Sequence, residues 1–549
     1  MSKHLPLLLV LGLAFLLLPL SIHGQKEGTP DEDFGVNSTF LSEKGEFWDA
    51  GSVVGLQSDG KILLAGTKDI WTPNSGMVGK AITYRLTTDG LPDLSFGENG
   101  SISVIDPENY YDKVVDMWVM EDNSFYLLVH SEDIDWPWYS PDYGNTTIIK
   151  FQPGGFPDST FGINGRLVLD LTPIAEFTSA FRFQSDRFFL VGMCDTMPDA
   201  GAYLPTYAAA LFEDGSLDTS YGMNGVRIIQ PNSYIDHITG LAIKEDGKLI
   251  LAGTLQDPFG NLDGYLLQFL PTGELDTDFG NNGYVVLDDV PNTSNTLFQD
   301  VALQGSNIVV AGHTRMKGNF FAPTTLLARY DASGKPDHSF GQSGIRIDTF
   351  SSTSNKVSQI EIGPNNEIYI GGQLRFFDIP ENEYHDEVFI AKYDPNGIPD
   401  PQYGENGLFT GLSSSLILIN DMILQPDGKQ LIAGVINILD HGNKQLFIQR
   451  VNGNSSTSVQ NASPTIPQLT VIPNVVRSGD KFRINYASEV EGSVSIQLLN
   501  PSGQIIMQVA AETIQDLQMT VPNVPGGLYL LNVRVGNDAF IEKIVILDR

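Results

Sequence analysis

Two kinds of side chain in this sequence could do chemistry on a bound molecule. Carboxylates Asp133, Asp135, Asp142, Glu381, Glu383, Asp386 and Glu387 stand in two stretches, HSEDIDWPWYSPDYGN from His130 and QLRFFDIPENEYHDE from Gln373. Glycoside hydrolysis needs two opposed carboxyl groups, so a pair held across a cleft would suffice. Aromatic rings share these stretches and their counterparts elsewhere: Trp71, Trp136, Trp138, Tyr139, Tyr143, Phe320, Phe321, Phe376, Phe377 and Tyr384. Flat rings beside carboxylates suit stacking on sugar faces, with polar edges taking hydroxyl groups, and the same mixture anchors protein partners. Each ring also has a plainer use as a lid buried between loops. In a chain of formal charge −34, most acidic residues simply face water.

Other chemistries find no support. There is no His-Glu-x-x-His metal helix, Gly-x-Ser-x-Gly elbow, phosphate loop or Cys/His cluster, and the eight histidines are scattered. With 32 Lys and Arg against 66 Asp and Glu, nucleic acid is excluded as a partner. Cys194 is the single cysteine, so no intrachain disulfide forms; it ends the apolar run FFLVGMC and reads as a packing thiol.

Loops place such residues only when something rigid holds them, and an internal repeat supplies it. LDTDFGNNG from Leu275 has close copies in DEDFGVNS (Asp31), PDLSFGENG (Pro92), PDSTFGING (Pro157), LDTSYGMNG (Leu217), PDHSFGQSG (Pro336) and PDPQYGENG (Pro399). The leading aspartates are Asp31, Asp93, Asp158, Asp218, Asp276, Asp337 and Asp400, a period of about 60 residues of the kind that builds propellers or arrays. In each copy the aspartate can cap a turn by accepting a backbone N–H two or three residues on. The Phe or Tyr is an apolar anchor, and the glycine after it tolerates positive φ. A functional alternative is that the Asp and Asn oxygens bind calcium; otherwise no cofactor is expected.

Between motifs the chain repeats one plan. A short strand follows the turn, then a strand, an Asp-Gly or Asn-Gly type turn and a second strand, as in LQSDGKILLAG (Leu56), IKEDGKLILAG (Ile243) and LQPDGKQLIAG (Leu424), and then a last strand such as LLARYD or LFIQRV. Four short strands per unit predict an all-β, seven-bladed β-propeller over residues 25–451, with a β-solenoid as rival. The first motif has no unit before it. Its strand around Thr39 to Ser42 is therefore predicted to pair with the last unit near Leu446 to Val451 and close the ring. Antiparallel alternation puts the uniform turns on one end and the irregular loops, with the rings and carboxylates above, on the other.

The repeat resembles the delta-60 repeat, a bacterial family with D-x-x-F-G-x-x-G followed by Q-x-D-G-K and an apolar pair. Asp276 leads the best copy of the first half, and Gln57 and Gln425 lead the second. Ser38 replaces the final glycine in the first copy, Tyr221 and Tyr403 replace Phe, and the second and sixth units are among those that lack the DGK turn. The resemblance implies the fold and no activity.

The ends of the chain differ from the repeats. Lys3 and His4, the apolar run Leu5 to Leu20 and small or polar Ser21 to Gly24 have the layout of a secretory signal peptide over residues 1–24. No membrane span is expected in the mature chain. Residues 452–468 are a Ser, Asn and Pro-rich linker. Residues 469–549 alternate apolar and polar in FRINY, SVSIQLL, LYLLNVRV and FIEKIVIL, predicting a small Ig-like β-sandwich. This tail resembles the type A C-terminal sorting domain of the bacterial type IX secretion system. The resemblance is carried by VIPNVV (Pro473, Asn474), LLNPSGQII (Gly503), VPGGLYLLNV (Gly527, Tyr529) and EKIVIL (Lys543), with Val475 where a second proline is usual. It implies contact with the secretion machinery and a place outside the cell or on its outer surface. The expectation is a non-enzymatic binding or adhesion protein with a glycan or protein ligand. The alternatives are a secreted glycan hydrolase or lyase, and a structural surface component.

Overall fold

The computed structural model describes residues 26–547 except 44–51, 73–75, 105–109, 134–144, 170–175, 185, 195–204, 230–233, 257–259, 289, 318–322, 352, 379–381, 438–443, 454–468, 473–474, 478, 480, 487–493, 500–504, 512–516, 525–526 and 536–537. The expected signal peptide and nearly all of the expected linker lie outside the described residues. Among those described there is no helix. The chain divides into two compact units, Met1–Ser455 and Ser456–Arg549.

The first unit is propeller-like, and its described residues form seven four-stranded antiparallel sheets. One sheet is Tyr110–Val119, Phe125–Asp133, Asn145–Phe151 and Arg166–Val168, in that spatial order. The first strand of each sheet packs on the first strand of the next, from Val53–Leu56 and Tyr110–Val119 round to Leu416–Leu424, which returns to Val53–Leu56. These innermost strands surround the axis. The core follows the same circuit: each hydrophobic cluster draws on two successive sheets, and Leu431, Ala433 and Leu446 of the last sheet meet Ile62, Leu64 and Tyr84 of the first.

The sequence repeat is shifted by one strand from the sheet. The short strand after each turn motif is the outermost strand of the preceding sheet, so the N-terminal copy must close the last one. Thr39–Leu41 pairs antiparallel with Lys444–Val451, placing Thr39 opposite Gln449 and Leu41 opposite Phe447. Residues before it extend the seal: the Gly28 N–H donates to the Asn452 carbonyl at 2.8 Å and the Asp31 N–H to that of Arg450 at 3.0 Å.

The turn motif acts as the sequence predicts. All seven aspartates accept the N–H two residues on, at 3.0–3.2 Å. Phe34, Phe96, Tyr221, Phe340 and Tyr403 are fully buried beside them. The glycine after the ring also joins sheets, since its N–H reaches a turn carbonyl of a neighbouring sheet, as Gly280 does to Ser333 at 2.8 Å. The turn glycine that receives each ring leaves no space for a side chain. A Cβ on Gly397, at φ +79°, would lie 2.5 Å from Cζ of Phe340.

The described residues of the second unit form two sheets. One is Leu469–Ile472, Lys481–Tyr486 and Leu517–Thr520; the other has five strands, with Val475–Arg477 running parallel to Asp538–Leu547. Phe482, Ile484, Ile496, Leu498, Leu531 and Val533 are buried in it.

Candidate functional site

Alternation along each sheet brings the uniform turns, which join its first to second and third to fourth strands, to one end of the ring and the second-to-third strand connections to the other. The stretch from Gln373 to Glu387, expected as an irregular loop, is instead a regular hairpin. Strands Ile368–Asp378 and Glu383–Tyr393 pair along their length, and Asn382 takes φ 57° at the tip. Cross-strand ring pairs favour this extension. Phe376 stacks on His385 at 5.4 Å and 19°, and Phe377 lies 4.9 Å from Tyr384. Three of the predicted rings thus share one hairpin, where Phe377 is 41% and Tyr384 55% exposed. Trp71 also falls on a strand, Ile62–Thr72, opposite Met77, rather than in a loop. Trp136, Trp138, Tyr139, Tyr143, Phe320 and Phe321 lie outside the described residues.

Of the candidate carboxylates, Asp135, Asp142 and Glu381 also lie outside the described residues. Asp386 is fully buried and held by Arg375, whose Nε and Nη2 donate at 2.7 and 3.0 Å, and it accepts the Ile417 N–H at 3.2 Å. A carboxylate so bonded is a clasp between sheets, not a free general acid or base. Glu387 sits 3.5 Å from Nε2 of His385 on the same hairpin.

The motif carboxylates each face a cation. Arg450 lies 2.7 Å from Asp31, Arg85 3.0 Å from Asp93, Lys150 3.5 Å from Asp158, Arg187 2.8 Å from Asp218, Lys248 2.9 Å from Asp276, Arg329 2.8 Å from Asp337 and Lys392 3.0 Å from Asp400. Three of the arginines also cover the motif ring, with Arg85, Arg329 and Arg450 at 4.6, 4.7 and 4.4 Å from the centroids of Phe96, Phe340 and Phe34. Calcium at these turns would have to displace those cations. Among the described residues no group of three or more His, Cys, Asp or Glu is placed to share a metal ion.

A second polar site lies on the axis, and the sequence reading missed it. Six innermost strands change register one residue before or at a shared position, occupied by Asp116, Ala180, Gly240, Asp300, Gln359 and Asp421. Such a bulge re-aims the side chain that follows it. The three aspartates accept the N–H of their own next residue at 2.8 Å. With the other oxygen Asp300 takes the Ile360 N–H at 3.1 Å, Asp421 the Val54 N–H at 2.8 Å, and Asp116 the Arg182 guanidinium at 2.7 Å. Each bond crosses to another sheet, so the aspartates tie the inner strands together. The recurrence of Asp in VDMWVM, QDVALQ and NDMILQ at one distance from the following turn was the available signal.

Arg182 is the cation felt by this group, which also includes Glu361 two residues beyond Gln359. Burial pushes the Asp300 carboxyl up to about 6, with the Arg182 charge opposing it. Burial first, then the neighbouring carboxylates, pushes Asp421 up to about 7 and Glu361 up to about 8.

Comparison with known proteins fits this architecture. Residues 473–547 match the secretion system C-terminal sorting domain. Residues 57–96 and 244–279 match a β-propeller domain of unknown function. Over 184 residues the chain is 24% identical to a Kelch domain-containing protein of Saccharolobus solfataricus, covering 30% of this chain and only a quarter (25%) of that relative's length. Among solved structures, polysaccharide lyase Uly1 superposes with a TM-score of 0.41 at 12% identity, over 79% of this chain and 94% of that one. An α-L-arabinanase of Penicillium chrysogenum gives 0.36 at 9% identity, over 78% and 97%. No described helix is long and apolar enough to cross a membrane. The chain is therefore a bacterial β-propeller protein carrying a type IX secretion sorting domain, exported to the cell surface or beyond.

Proposed function

We propose that the chain is an exported seven-bladed propeller, followed by an Ig-like sorting sandwich, whose irregular end binds glycans or a surface protein without transforming them. The observation that carries this reading is the Gln373 to Glu387 hairpin, which holds Phe377 and Tyr384 side by side and exposed on a paired backbone. Rings fixed in this way lose little freedom on binding and supply large contact area. The ring of sheets gives the hairpins a rigid base, and several hairpins on one end allow multivalent contact. Engagement of Asp386 by Arg375 and Ile417 supports binding over hydrolysis or lysis.

A glycan array probed with the full chain and with a Phe377→Ala/Tyr384→Ala variant tests the reading, with bound glycans then assayed for new reducing or unsaturated ends. Binding that the variant loses, without product, supports it. Product formation would put a hydrolase or lyase in its place, and binding untouched by the substitutions would remove this hairpin from the site.

A further inference from the structure

We infer that the mouth of the axial channel on the uniform-turn end binds a primary ammonium group on an alkyl stem, with Glu361 as its counter-ion and Trp118 as a wall. An open cavity of about 300 Å³ lies there, lined by Leu56, Met117, Trp118, Ile423 and Glu361 among others. With a water occupying about 30 Å³ of liquid, it has room for a ligand of roughly ten heavy atoms. Its walls are apolar or aromatic except for one carboxylate. Glu361 accepts no hydrogen bond and makes no ion pair among the described residues, unlike Asp116, Asp300 and Asp421, which are bonded to backbone or to Arg182.

Charge selects the sign of the ligand. Four carboxylates, Asp116, Asp300, Glu361 and Asp421, share the axis with Arg182, which Asp116 already holds at 2.7 Å. An ammonium would give Glu361 the N–H donors it lacks, while the alkyl stem covers Met117, Ile423 and the Trp118 face, where a cation is further favoured. A neutral hydroxyl offers one donor and no charge, and an anion would be repelled. The ligand can be a free alkylamine or a lysine side chain presented by a protein, since both carry the same group.

The test titrates the full chain at pH 8 by calorimetry with n-hexylamine, with Nα-acetyl-lysine methylamide and with n-hexanol. Saturable binding of either amine, and none of the alcohol, is expected; the stronger amine identifies the source. Glu361→Gln should weaken that binding by about ten- to a hundredfold, the range of a charge-assisted hydrogen bond. Should this variant fail to fold, Trp118→Leu is the second probe and should weaken binding about threefold or more. No saturable amine binding, equal binding of hexanol, or binding unchanged in both variants would overturn the assignment.

Discussion

Replacing Asp31 with alanine should weaken the ring more than the same change at any other turn motif. The Asp31 side chain is fully buried and accepts from Nε of Arg450 at 2.7 Å, while Nζ of Lys429 lies 3.0 Å away. Arg450 is itself 6% exposed and sits over Phe34. Removing the carboxylate strands two cations, one of them buried, and breaking a buried pair from one side costs about 3–5 kcal/mol. Asp218 is the control: its one cation, Arg187, is 28% exposed, and water can replace the lost partner. The cost there should be about 1–2 kcal/mol. Because the Asp31 contacts join the two ends of the ring, the loss should surface where Thr39–Leu41 meets Lys444–Val451. The assay is urea unfolding of the full chain followed by hydrogen exchange on peptides from each sheet.

Acidity adds a second arm to that experiment. Burial raises the Asp31 pKa, but Lys429 and Arg450 outweigh it and hold the group below its ordinary 3.8. A depressed carboxylate stabilises the fold above the unfolded value and loses that contribution as pH falls through the folded one. The gap between wild type and Asp31→Ala should therefore be complete at pH 5 and above and close below 3.8. Equal losses at Asp31 and Asp218, or a gap that persists in acid, would refute the reasoning.

Three further outcomes follow from the same structure. Glu361, pushed up to about 8 from an ordinary 4.5, destabilises the folded chain increasingly as pH rises between those values. Glu361→Gln should therefore raise stability by about 1–2 kcal/mol near pH 9 and leave it unchanged near pH 4.5, as read by thermal melts across pH. Gly397→Ala forces a side chain into positive φ and against Phe340, and should cost roughly 2–4 kcal/mol in urea unfolding. Phe377→Ala/Tyr384→Ala removes exposed rings and should leave stability within about 1 kcal/mol, which a thermal melt of the variant checks.

The sequence reading reached furthest where local chemistry repeats. Asp276, Phe279 and Gly280 announce a turn because capping, anchoring and positive φ each demand one residue type, and the copies confirm one another. Closure by Thr39–Leu41 followed from counting, since a lone strand had to find the last sheet. The cations behind the aspartates were harder to see. Arg85, Arg329 and Arg450 hold one strand position, but that position is Gln268 in another sheet, where Lys248 of the turn takes over. The hairpin at Phe376 to His385 read as a loop because acidic residues and Pro380 mask the alternation that pairs its strands. The axial group stayed hidden because Asp116, Arg182, Asp300, Glu361 and Asp421 are spread over five sheets and meet only when the ring closes. Their one local trace is a bulge, and bulges leave no mark in hydrophobic periodicity.

The most direct test of the proposed binding end is hydrogen exchange on the full chain with and without a glycan or surface protein that it retains. Protection at the strand ends flanking the irregular connections, above all Phe376–Asp378 and Glu383–His385, with none at the uniform turns Asp59–Lys61 and Asp427–Lys429, is the predicted result. Protection confined to the uniform turns would contradict it and move recognition to the opposite end of the ring.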